Sequence, residues 1–136
     1  MKLITYFKYM NFYAHIAHNY SKGETFFQGH DFFGELYETY EDIYDKLVER
    51  YIGLDKDLDL VKLHVKAAQA LKEFDGCHHA FEELLMCEEA VCEACKEMSK
   101  AATLGLGNML AQIADDSEAR QYRIKQRLIK EADEKD

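Results

Sequence analysis

No proline occurs in the 136 residues, and only seven glycines interrupt them, at positions 23, 29, 34, 53, 76, 105 and 107. Proline and glycine are the residues that most often stop a helix or turn a chain. Their scarcity leaves long stretches with nothing to break them, and an all-helical fold is the default. The apolar residues agree with it. Leu3, Phe7, Met10, Ala14 and Ala17 recur at three- and four-residue spacing, which predicts a first helix ending near Tyr20. Gly23 interrupts it within NYSKGET, where Glu24 or Thr25 can start the next helix. That second helix, over 26–52, carries Phe26, His30, Phe33, Tyr37, Tyr40, Tyr44, Leu47 and Tyr51, with Gly53 as its end. At 1.5 Å per residue it is roughly 40 Å long. A shorter helix follows over 57–74, with Leu58, Val61, Val65, Ala68 and Leu71 as its stripe. A long helix over 77–102, a break at TLGLG and a last helix over 108–132 complete the plan.

Two long helices, a crossover with its own short helix and two more long helices make an all-α plan. It is the topology of a ferritin-like four-helix bundle, with the extra helix between helices two and three. The length is one domain's worth, enough to bury a core without disulfides or metal staples, so a single domain over 1–136 is expected. The formal net charge of −9 argues against general attraction to nucleic acid or anionic membrane. Polar residues such as Asn11 and His15 interrupt the N-terminal apolar run, and no stretch reaches the ~18 apolar residues of a membrane span. A soluble, cytoplasmic protein is the expectation. Cys77, Cys87, Cys92 and Cys95 crowd into one segment. Cys92 and Cys95 share a helix face while Cys87 points elsewhere, so these are expected to be small buried thiols and not a fold-wide staple.

Residues 18–50, HNYSKGETFFQGHDFFGELYETYEDIYDKLVER, resemble the signature of the Dps family, the mini-ferritins. The shared elements are a His near the end of the first helix (His18), a Lys-Gly-x-x-Phe turn (Lys22 to Phe26) and a second His twelve residues after the first (His30). They continue with Glu-Leu-Tyr and with Asp45 and Glu49 ahead of Arg50. The detailed match covers about a quarter of the chain. The central helix and SEARQYRIKQRL in the last helix extend it at lower specificity to nearly the whole length.

His30 and Asp45 lie fifteen residues apart on one helix, about 22 Å along its axis, so one subunit cannot hold the same ion with both. An antiparallel second copy, related by a two-fold axis near residues 38–40, would bring Asp45 and Glu49 to the histidines of its mate. At i and i+4, those carboxylates share a helix face. The resemblance implies a ferroxidase centre of this design, with His18 and His30 from one subunit and Asp45 and Glu49 from the other. It also implies iron as the metal, oxidation of Fe(II) by peroxide or dioxygen, ferric mineral stored in a dodecameric cage, and protection against iron and peroxide damage. Imidazole and carboxylate suit ferrous iron, and would also accept zinc or manganese.

The chain departs from the family pattern in three places. Gly34 stands where the family has an Asp or Glu four residues after the second His. Glu35 is a possible ligand, but it lies about 100° further round the helix. Asn19 replaces a tryptophan, and Tyr20, Tyr37 or Tyr40 are candidates to take oxidising equivalents in its stead. ATLGLGN brings no acidic residue to the expected pore, and an apolar mouth admits ferrous ions poorly. These departures define the rival reading: a Dps-like cage, or another helical structural or interaction protein, without ferroxidase activity. Two further features have ordinary structural expectations. Glu88, on the stripe between Leu84 and Cys95, is expected at a solvent-exposed flank. The row Arg120, Arg123, Arg127 and Lys130 is expected to complement a helix C-terminus, with a phosphate-binding patch as its functional alternative. DNA binding is expected to be weak or absent, because there is no basic tail and the C-terminal EADEKD is acidic.

Overall fold

The computed structural model describes residues 1–74 and 78–129. Five α-helices and no strands occur among them: α1 (Leu3–Tyr20), α2 (Phe26–Gly53), α3 (Leu60–Gln69), α4 (Ala80–Ser99) and α5 (Leu104–Arg127). The all-α expectation holds, with its order of two long helices, a short one in the crossover and two long ones. The helices fall into two compact units, Met1–Ala80 and Phe81–Asp136.

In the first unit, α1 and α2 form an antiparallel hairpin. The chain turns at Gly23, whose φ of +80 is a conformation that glycine adopts without cost. A 3-10 turn, Gly23–Thr25, then leads into α2. The α1 stripe expected from spacing is buried: Phe7, Met10, Ala14 and Ala17 are fully enclosed. On α2 the buried residues are Phe33, Leu36, Tyr40, Tyr44, Leu47, Val48 and Tyr51. The Phe7 and Tyr40 rings meet with centroids 6.2 Å apart. Asn11 Nδ2 donates to the Tyr37 carbonyl at 2.8 Å, fixing the register of the hairpin.

As expected, α2 stops at Gly53, its last helical residue, but that glycine does not make the turn. The reversal comes two residues later, where Asp55 takes a φ of 58. Asp55 N–H reaches the Ile52 carbonyl at 3.0 Å and Lys56 N–H the Tyr51 carbonyl at 3.0 Å. This pair of bonds is a Schellman motif, with an aspartate where glycine usually sits. The crossover helix is also shorter than the expected 57–74. Asp59 caps α3, its carboxylate accepting from Lys62 N–H at 2.9 Å. After Gln69 the chain tightens into a 3-10 turn, Ala70–Glu73. Phe74 packs edge-on against Tyr13, 4.8 Å between centroids, and so ties the end of this segment to α1.

In the second unit α4 and α5 run antiparallel. The buried residues Leu84, Glu88, Val91 and Cys95 of α4, and Leu106, Leu110, Ile113, Ser117, Arg120 and Ile124 of α5, follow three- and four-residue spacing. The TLGLG stretch is not a break. Thr103 caps α5, its hydroxyl accepting from Leu106 N–H at 3.1 Å, and both glycines are absorbed into the first turns. The expected extension to residue 132 is not reached, because α5 ends at Arg127; residues 130–132 lie outside the described residues.

Glu88 corrects another expectation, for it is completely buried. Its carboxylate receives Arg120 Nε at 2.5 Å and Nη2 at 3.1 Å, and the Ser117 hydroxyl at 2.9 Å. Arg120 therefore leaves the basic row and becomes a core ion pair. Arg127 stacks its guanidinium 5.0 Å from the Phe81 ring centre, and Lys130 lies outside the described residues. Cys87 and Cys95 are buried and Cys92 is half-buried, all as free thiols; Cys77 lies outside the described residues.

Candidate metal centre

The register that sets Asn11 beside Tyr37 also sets His18, in the last turn of α1, beside His30, in the second turn of α2. Their rings stack with centroids 3.7 Å apart and planes inclined by 24°. Each ring is tied to the backbone of the other helix: His18 Nδ1 lies 2.6 Å from the His30 carbonyl oxygen, and His30 Nδ1 lies 3.2 Å from that of His18. A carbonyl oxygen can only accept, so each Nδ1 carries the proton. In the neutral rings the Nε2 atoms then keep their lone pairs. A metal-binding histidine has the same requirement, with one nitrogen anchored to a protein acceptor and the other presented to the ion.

The pair sits in a longer run of rings. Phe26 stacks on His30 at 4.7 Å, Tyr37 meets His18 edge-on at 5.4 Å, and His15 stacks on Tyr37 at 4.1 Å with planes 14° apart. His15 is exposed, whereas His18, His30, Phe26 and Tyr37 are half-buried. Sequence reasoning read Phe26 only as part of the turn and of the α2 stripe, and gave His15 no part in the site. The i, i+3 spacing of His15 and His18, and the i, i+4 spacing of Phe26 and His30, were the available signals.

Gly34 lies one turn beyond His30, on the side where His18 approaches. A Cβ there would fall 3.1 Å from His18 Nδ1 and 3.2 Å from His18 Cε1. Glu35 is exposed, one position further round the helix.

Asp45 and Glu49 lie exposed in the second half of α2. Within one chain the helix holds Asp45 about 22 Å along the axis from His30. Among the described residues, no three His, Cys, Asp or Glu side chains of a single chain come together to hold a metal ion. Asp45 has a cationic neighbour that the sequence did not reveal. Lys8 of α1 is buried, with Nζ 4.0 Å from the centre of the Tyr44 ring and 3.4 Å from Asn11 Oδ1. Burial pushes its pKa down, while the negative charges of Glu41 and Asp45 pull it back up. Burial first, and then Asp45, push the Tyr44 phenol up. The carboxylate end of α2 thus keeps a lysine of its own beneath it.

Two imidazoles at one end of the hairpin, and two carboxylates at i and i+4 toward the other, are donor types that a divalent first-row ion accepts. No described helix is long and apolar enough to cross a membrane. The family model described as Ferritin-like domain matches residues 3–131. Comparison with curated proteins and with solved structures gave no match.

Proposed function

Because the chain belongs to the ferritin-like domain family, whose function is in general iron-related, we propose that it is a Dps-like mini-ferritin, binding ferrous iron at sites shared between two-fold-related copies. The observation that carries this reading is the meeting of His18 and His30 across the hairpin, each Nδ1 bonded to the other's backbone so that each Nε2 is left as the donor atom. Asp45 and Glu49 of a second copy would complete the donor set.

Iron is the substrate here. Each Fe(II) gives up one electron to peroxide or dioxygen, and ferric ion passes to mineral inside the cage. In that reaction His18 and His30 bind and orient the ion. The carboxylates from the other chain neutralise its charge, which rises on oxidation and strengthens their hold. Tyr37, edge-on to His18, is the tyrosine placed to accept an oxidising equivalent that escapes. A cage of twelve copies has a mass of roughly 190 kDa, twelve times 15.9 kDa. DNA does not enter the reading, since the average charge repels phosphate.

A second reading, a helical assembly without ferroxidase chemistry, is favoured by Gly34, which leaves the site one carboxylate short. Anaerobic Fe(II) titration followed by addition of oxidant separates the two. The parent should bind Fe(II) and oxidise it, and His30→Ala and Asp45→Ala should each lose tight binding while staying folded. Co-assembly of the two variants should recover part of the binding, because one of the two sites in a mixed pair escapes both lesions. Parent protein that stays monomeric in light scattering, or single variants that bind as the parent does, would overturn the shared site.

A further inference from the structure

We propose that Gly34 is a positioning residue: the space left by its missing side chain is the space into which His18 closes on His30, so a carboxylate added at 34 would open the imidazole pair instead of adding a donor. The part concerning metal rests on the function proposed above; the part concerning ring geometry stands without it.

The His18 ring lies over the turn of α2 that runs from His30 to Gly34. A Cβ at 34 would press first on Nδ1, at 3.1 Å, and on Cε1, at 3.2 Å. Nδ1 is the atom that donates to the His30 carbonyl at 2.6 Å. The ring cannot relax toward α2, because that bond is already short and the His30 ring stacks against it at 3.7 Å. The edge of Tyr37 stands on another side. A Cβ at 34 is therefore accommodated by His18 giving way by a few tenths of an ångström, which lengthens its bond to the His30 carbonyl, and a larger side chain forces it further. Other glycines lack this relation: Gly53 and Gly107 face open space, and a Cβ at Gly29 would meet the movable Ser21 hydroxyl at 3.3 Å.

Seen this way, the absent carboxylate and the closed imidazole pair are one feature. The chain gives up an oxygen donor at 34 and keeps its two imidazoles closed on each other. On the function proposed above, the ligand is a divalent first-row ion that accepts imidazole, with oxygen from the second copy.

The test uses the full chain, metal-free, with 15N-labelled histidine and solid-state NMR at neutral pH, on the parent, Gly34→Ala, Gly34→Asp and a Gly107→Ala control. The expected result is a strongly hydrogen-bonded, Nδ1-protonated His18 in the parent and the control, a weakened Nδ1–H hydrogen bond in Gly34→Ala and loss of the signature in Gly34→Asp, with helix content unchanged. Anaerobic titration with Fe(II) alone should then show Gly34→Asp binding at least tenfold more weakly than the parent. A His18 Nδ1 signal in Gly34→Ala identical to the parent's, or Fe(II) binding by Gly34→Asp as tight as the parent's, would overturn the proposal. If Gly34→Asp does not fold, the smaller Gly34→Ala decides by the same signature. If the signature changes as expected but the parent binds no Fe(II), the positioning role stands and the iron reading falls.

Discussion

The buried pair Glu88 and Arg120 allows a stability prediction in which the double substitution cancels the cost of the single ones. Glu88 has no exposed surface and accepts two guanidinium hydrogen bonds. Arg120→Leu would leave its carboxylate buried beside Ser117 without its cation. With charge centres about 4 Å apart and an effective dielectric near 20, the lost attraction is about 4 kcal/mol, within the range of about 3–5 kcal/mol for breaking a buried pair. Glu88→Leu should cost less, about 2–3 kcal/mol, because the Arg120 side chain keeps 10% of its surface exposed and can turn its head toward water. The double variant removes both desolvation costs and replaces the pair with apolar bulk. Ser117 is not orphaned there, since its hydroxyl also reaches the Glu88 carbonyl at 3.1 Å. The double variant should lie within about 1 kcal/mol of the parent. Urea denaturation at fixed protein concentration, so that assembly adds equally to every variant, should read Arg120→Leu as a midpoint about 2 M lower for a slope near 2 kcal/mol/M. A double variant whose loss equals the sum of the two singles would refute the reasoning, because it would mean that the two groups do not act as a pair.

Two further outcomes follow from the helix ends and the thiols. Thr103→Ala removes the cap of α5 and should cost about 1 kcal/mol, whereas Asp55→Gly relieves a left-handed aspartate and should gain up to about 1 kcal/mol; opposite shifts in urea midpoint are the check. Burial, aided by the charge of Cys92, pushes the Cys95 thiol from 9.0 up to about 12. The stability this gives is complete below pH 9 and is lost as pH rises toward 12, so the parent should lose more stability than Cys95→Ala between pH 8 and pH 11.

What the sequence disclosed was local. Helix existence and burial followed from spacing: Phe7, Met10, Ala14 and Ala17 form the buried stripe that their intervals predict. The order of the helices was equally legible, as was the pairing of His18 with His30, which a short antiparallel turn makes almost unavoidable. The errors arose where a residue's role depends on a partner distant in the chain or on its own backbone. Glu88 lies on the apolar stripe, but its partner is thirty-two residues away on α5. The glycines of TLGLG looked like a break because glycine is a poor helix former, yet a threonine cap just ahead of them outweighs that weakness. Gly34 could be read only as a missing ligand, because its closeness to His18 belongs to the packing of two helices. Asp45 and Glu49 remain a sequence-based assignment, since a site completed by a second copy has no expression in one chain.

The reciprocal bonds between His18 and His30 also bear on the order in which such a site would come into being. Each imidazole is held by the main chain of the opposite helix, so its orientation is fixed once the hairpin forms, before any encounter between copies. The rotational freedom of the two rings is then lost during folding and not during association, and meeting a second chain or an ion carries that much less entropic cost. The carboxylates are the contrary case, exposed and hydrated on the far half of α2. In a shared centre of this design, one half would be a rigid template made by a single chain, and the other a mobile counterpart that becomes ordered only on contact.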